Sequence, residues 1–298
     1  MPSEELLRSA LRALTNGDHL QVRAICNEMI KRQPKDGRAY SILGISFSRQ
    51  NQPKKAIQHL ERALKLFPGD VSAGVELGQV HLKQGNLAGA QQCFERASFY
   101  AKNDIEIMRL HAFSVLQMGR YSKAIMILDT LLMSAPEDAD AFNKRGFAKQ
   151  MVGDLVGAVG NCSRAIQLRP EFAEAWNNRG IALMHQKRPE QALADFNQAL
   201  VLRPQYVLAH FNKSKNLLAM DKLDAAKQSA QTCVELAPDN AQFQTNLGSI
   251  LHQCGEYDSA TTSFEAALKL QPHHPEALEG KAASLERSMQ ENDGVKNG

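Results

Sequence analysis

AEAWNNRGIALMHQKRPEQALADFNQALVLRPQY, residues 173–206, reads as two helices joined by a tight turn. Trp176, Gly180 and Leu183 recur at the spacing of one helical face, and Ala192, Phe196, Ala199 and Leu200 do so again further on. Between them Pro189 stands where a second helix would open, and Pro204 lies just past its end. The arrangement extends in both directions. Pro34, Pro68, Pro136, Pro170, Pro204, Pro238 and Pro272 all fall at multiples of 34, and only Lys102 breaks the series. A fixed period of this length marks a stack of supersecondary units, none of which buries its apolar face alone.

With that proline set at position 32, residues 3–274 divide into eight units of 34. Position 8 is Ala10, Gly44, Gly78, Ala112, Gly146, Gly180, Ser214 and Gly248, and position 20 is alanine in every unit but the first, which has Val22. Position 24 is large in Leu60, Phe94, Leu128, Phe196 and Phe264. Small residues at fixed phases let two helices approach, and large ones fill the space between units. Position 15 is Gly17, Gly85, Gly119, Gly153 and Gly255, suited to the left-handed turn that closes a helix; Asn51 tolerates it, while Lys187 and Asp221 depart from the rule. The spacing predicts a helix–turn–helix, repeated eight times.

The pattern resembles the tetratricopeptide repeat family over nearly the whole chain, with Trp176, Gly180, Leu183, Ala192, Phe196, Ala199 and Pro204 at its signature positions. The resemblance implies an all-α, right-handed superhelical solenoid whose first helices line a concave face. Its repeats would span 3–36, 37–70, 71–104, 105–138, 139–172, 173–206, 207–240 and 241–274. Residues 275–290 read as a capping helix of the kind solenoids need, and 291–298 as a polar tail. The junction of the third and fourth units is irregular, with Lys102 for proline and Gly74 for a large residue at position 4. It reads as a continuous but less ideal stack, the sharper alternative being a weak joint there.

Composition bounds the rest. The 298 residues are 43% hydrophobic with a net charge of +3, too weak a bias to argue for nucleic acid. No apolar run is long enough to span a membrane, and MPSEELLRSALRAL lacks the marks of a secretory signal, so a cytoplasmic setting is expected. Cys26, Cys93, Cys162, Cys233 and Cys254 form no CxxC pair; Cys26, Cys162 and Cys233 occupy core phases. No phosphate loop, HExxH or GxSxG motif occurs, and no convergent set of titratable groups is visible. The expectation is a protein that is not an enzyme and uses no cofactor or metal.

What is left is surface. By the resemblance, positions 2, 5, 6, 9, 12 and 13 of each first helix point into the groove. Position 6 gives Lys144, Asn178, Asn212 and Asn246, an amide ladder able to hold an extended main chain, similar to that of O-linked N-acetylglucosamine transferases. Position 9 gives Phe113, Phe147, Ile181 and Lys215; an exposed apolar cluster would mark a partner site, and packing between first helices is the other reading. The first helices of units four to seven, including Arg109, carry an excess of +4 over their carboxylates. No unit pairs Lys at position 5 with Asn at position 9, so a carboxylate clamp for chaperone tails is not expected. The reading is a scaffold or adaptor that binds a peptide or protein, acidic in character, at Arg109, Phe113, Lys144, Phe147, Asn178, Ile181, Asn212, Lys215 and Asn246. The alternative is a substrate-recruiting repeat arm of a glycosyltransferase or sulfotransferase. Neither nucleic acid nor membrane insertion is expected, and the oligomeric state is left open.

Overall fold

The computed structural model describes residues 3–296, and the described residues form seventeen α-helices with no strand. They divide into two compact units, Met1–Glu137 and Asp138–Gly298. The first holds α1 (Ser3–Thr15), α2 (His19–Arg32), α3 (Gly37–Arg49), α4 (Pro53–Leu66), α5 (Val71–Lys83), α6 (Leu87–Tyr100), α7 (Ile105–Gln117) and α8 (Tyr121–Ser134). The second holds α9 (Ala139–Met151), α10 (Leu155–Leu168), α11 (Ala173–His185), α12 (Pro189–Leu202), α13 (Val207–Ala219), α14 (Leu223–Leu236), α15 (Ala241–Gln253), α16 (Tyr257–Leu270) and α17 (Pro275–Lys296). Within each unit, helices pack on their sequence neighbours, and odd-numbered helices also touch one another, as in a solenoid. No described helix is long and apolar enough to cross a membrane.

The periodic glycines owe their place to one contact. A Cβ on Gly180 would come within 2.7 Å of the Phe196 ring, one on Gly78 within 2.6 Å of Phe94, and one on Gly146 within 2.6 Å of the Cys162 sulfur. In these units position 8 of the first helix rests on position 24 of the helix that follows, and only hydrogen fits between them, whereas Ala10, Ala112 and Ser214 carry a small side chain at the same position. Cys26 and Cys162 are buried at position 24 and Cys233 at position 27, and burial pushes each thiol up to about 12.

Helix ends follow two devices. Asp36, Asp70, Asp104, Asp138 and Asn240 at position 34 accept backbone N–H bonds from the next helix, as Asp18, Asn86 and Asp154 do at position 16. Where position 34 is instead Phe172 or Tyr206, an arginine three residues earlier stacks on the ring: Arg169 at 4.6 Å and Arg203 at 4.9 Å. A second lock ties position 4 to the preceding turn. Tyr40, Trp176, His210 and Gln244 each hydrogen-bond the carbonyl of the proline six residues back, at 3.3, 2.8, 2.9 and 3.3 Å.

One expectation needs correction. The last helix runs past Gln290 to Lys296, so most of the expected polar tail continues the helix; residues 297–298 lie outside the described residues. Across Lys102, α6 packs on α7 within the first unit, in keeping with the continuous stack expected there. The division falls one period later, between residues 137 and 138.

Candidate partner-binding groove

The second unit sets α9, α11, α13 and α15 beside one another, each presenting positions 5 and 6 to the next. Asn178 donates from Nδ2 to Asn143 Oδ1 at 2.9 Å, and Asn212 donates to Asn177 Oδ1 at 2.9 Å. Asn177 and Asn178 are joined in turn, Nδ2 to Oδ1, at 3.5 Å. The four amides thus form one relay across three helices, from Asn212 through Asn177 and Asn178 to Asn143. Asn246 donates to the Ser214 hydroxyl at 2.8 Å, continuing the pattern into α15. The ladder is therefore spent in part on holding repeats together. What stays outside the relay is the carbonyl oxygen of Asn212 and the NH2 group of Asn143. Sequence reasoning missed Asn143, Asn177 and Ser214; the recurrence of asparagine at position 5 was the signal.

The charges sort in the same way. Arg179 holds buried Asp195 through two bonds of 2.7 Å and lies 4.7 Å from the Trp176 ring. Its pairing with Asp195 raises the Arg179 pKa further above the ordinary range. Arg145 donates to Asn161 at 2.6 Å, and Lys149 pairs with Asp154 at 2.9 Å. These basic groups are bound to the second helix of their own repeat, or to the turn before it. Asp140 and Glu174 are paired by Arg169 and Arg203, at 2.6 and 2.7 Å. The counted excess of +4 therefore includes groups that are already matched. Among the described residues of the second unit's first helices, Lys144, Lys213 and Lys215 make no ion pair. Burial lowers the Lys213 pKa, and the Lys215 ammonium sits 5.5 Å from the Phe211 ring.

The apolar residues divide. Ile181 and Met184 are half-buried against the cluster of Leu183, Ala192 and Phe196, so packing accounts for part of their surface. Phe147 is half-buried, Met151 and Leu208 are exposed, and Phe211 tilts against Phe243 at 5.1 Å. Arg109 and Phe113 belong to α7 in the first unit, where Arg109 pairs with Glu106 and Phe113 is exposed. Of the nine expected site residues, seven lie on first helices of the second unit: Lys144, Phe147, Asn178, Ile181, Asn212, Lys215 and Asn246.

The helix pairs, the 34-residue period and the glycine–aromatic contact can now be set beside known proteins. Family models described as the tetratricopeptide repeat match residues 173–206, residues 48–112, and residues 7–71 with 211–275. The chain belongs to the tetratricopeptide repeat family. Among curated proteins it is 31% identical over 96 residues to the probable biofilm formation methyltransferase WspC of Pseudomonas putida, covering 32% of this chain and 23% of that protein. It is 28% identical over 139 residues to the BBSome complex member BBS4 of Bos taurus, covering 47% of this chain and 27% of that one. The chain spans about a quarter of the length of these relatives. Among solved structures, a tetratricopeptide repeat protein from Parabacteroides merdae aligns with a TM-score of 0.69 at 17% identity, over 84% of this chain and 99% of that one. YrrB, described as a TPR protein with an unusual peptide-binding site, aligns with a TM-score of 0.58 at 20% identity, over 63% of this chain and 97% of that one.

Proposed function

We propose that this protein is a non-catalytic interaction scaffold, built of eight repeats over residues 3–274 with α17 as a cap, that holds an acidic, partly apolar segment of a partner protein along the first helices of its second unit. One observation carries the reading. Lys144, Lys213 and Lys215 lack carboxylate partners in a unit where Asp140, Glu174 and Asp195 are each matched by an arginine. Unmatched charge of one sign beside exposed Met151 and Leu208 favours a segment that brings both carboxylates and apolar side chains. The relay supports it from below: Asn212 offers an acceptor and Asn143 donors to a main chain, while their other groups fix the spacing of the repeats. YrrB's peptide-binding site lends the reading its precedent within the fold. Arg109 and Phe113 lie on α7 of the other unit and are not part of this surface.

A displayed library of random short peptides, selected against the whole chain, tests the charge and the site together. Selected sequences should be enriched in Asp and Glu beside apolar residues. Phe147→Ala should weaken them by roughly 1–2 kcal/mol at any salt concentration. Lys144→Glu should slow association most at low salt, because screening at physiological ionic strength reaches within about 8 Å. Selection of basic peptides, or unchanged binding by both folded variants, would refute the proposal. A second reading, a substrate-recruiting arm of an enzyme, draws support from the partial match to a methyltransferase. It requires that a covalently or non-covalently associated catalytic domain modify the selected peptides.

A further inference from the structure

The first unit carries a pocket whose shape follows from a missing side chain. Position 4 normally closes the space between one turn and the next helix pair, as Tyr40, Trp176, His210 and Gln244 do by bonding the preceding proline's carbonyl. In α5 that position is Gly74. The Pro68 carbonyl there accepts instead from Arg96 Nε at 3.1 Å, a residue reaching in from α6. An open pocket of about 510 Å3 remains, with Leu64, Pro68, Gly74, Leu77, Cys93 and Arg96 among its lining residues.

The backbone of Gly74 makes no demand for glycine. A Cβ placed on it would meet nothing closer than Ala97 Cβ at 3.7 Å and the Cys93 carbonyl at 3.8 Å, ordinary contact distances. This differs from Gly44 and Gly78, where a Cβ would collide with a neighbouring side chain at 2.5 and 2.6 Å. The glycine therefore leaves room that the fold does not require. Beside it, Phe67 and Tyr100 both reach Gly69, the residue after Pro68, and about half of each side chain is exposed. An apolar floor with a polar rim, here Glu61, Lys65 and Gln92, and exposed aromatics on the adjoining turn are the usual surroundings of an anchor residue.

We propose that the Gly74 pocket is a second docking site, distinct from the groove of the other unit, which takes a tyrosine or tryptophan side chain of a partner protein. The protein's own repeats supply the template for the occupant. Tyr40 and Trp176 show an aromatic ring filling this place with its polar tip on the proline carbonyl, and an inserted ring would use the free lone pair of Pro68 in the same way. Leu64 and Leu77 give the ring its apolar walls.

The test follows the leucine methyl signals of the whole chain by NMR as N-acetyl-tryptophanamide or N-acetyl-tyrosinamide is added, with N-acetyl-leucinamide as the comparison. The aromatic amides should shift Leu64 and Leu77 at concentrations several-fold below those at which the leucine amide does. Gly74→Ala should keep the fold and weaken the shifts; Gly74→Tyr should fill the pocket, abolish them and raise the melting temperature. Absence of shifts at Leu64 and Leu77, equal response to the leucine amide, or shifts that persist in Gly74→Tyr would overturn the proposal. So would a Gly74→Tyr chain that fails to fold, because the pocket would then not hold a ring.

Discussion

Lys187 and Asp221 stand where five other repeats have glycine, and they adopt its conformation all the same, with φ of 58° and 56°. The left-handed region costs a side-chain-bearing residue about 1–2 kcal/mol, partly offset because glycine gains more freedom on unfolding. Lys187→Gly should therefore raise stability by about 0.5–1 kcal/mol, read as an increase in urea midpoint with unchanged slope. His111 gives a second prediction. It is buried at position 7, with Nδ1 at 3.5 Å from the Ser98 hydroxyl and no partner for Nε2. Burial lowers its pKa, nearby Glu95 works against that, and Lys123 adds to it. Because the folded pKa lies below the unfolded value of about 6.5, the unfolded chain binds the extra proton first, and stability falls as pH drops through that range. His111→Leu, matching Leu43 and Leu77 at the same position, should lose less stability than the parent between neutral and mildly acid pH in urea melts. At this scale the candidate site was legible only in outline. Asn178, Asn212 and Asn246 stood out by recurrence, but an amide's partner lies one period away, and a single helix does not reveal which of its bonds are already taken.

At the scale of the element, the 34-residue period was enough to read two helices in each unit, because most turns are set by a residue with special backbone freedom or by proline. The end of α17 was not legible in the same way: Asn292, Asp293 and Gly294 read as the start of a tail, yet the helix continues through them to Lys296. The position-4 lock also escaped notice, because Tyr, Trp, His and Gln share a hydrogen-bond donor but no hydrophobic class. Two glycines separate the packing role from mere tolerance. Gly180→Leu should destabilise by about 1–3 kcal/mol or more, since its Cβ alone would sit 2.7 Å from Phe196. Gly160 in α10 has nothing within 4 Å of a built Cβ, so Gly160→Ala should stabilise by up to about 1 kcal/mol. Thermal melts that move both variants in the same direction would contradict the assignment.

For the whole molecule, each unit has its own buried clusters, one running from Leu6 to Val80 in the first and others around Phe172, Phe196 and Phe264 in the second. Stability in such stacks is a sum over neighbours and does not rest on one shared centre. Residues 138–298 expressed alone should keep a helical circular dichroism spectrum and a cooperative melt. A fragment without helical signal would show that the second unit depends on the first.

The amide relay has a consequence for how such a chain can change length. Asn143 and Asn177 hold the same position in successive periods, and Asn212 donates to the second of them. Deleting residues 173–206 as a block would bring Asn212 opposite Asn143 and remake the same bond across the scar, with Phe172 running straight into Val207. A deletion longer or shorter by one residue would turn the following helix by about 100° and leave both amides facing strangers. Inheritance in whole periods is thus written into hydrogen bonds as well as into packing, and gain or loss of a repeat would lengthen or shorten the relay without breaking its grammar.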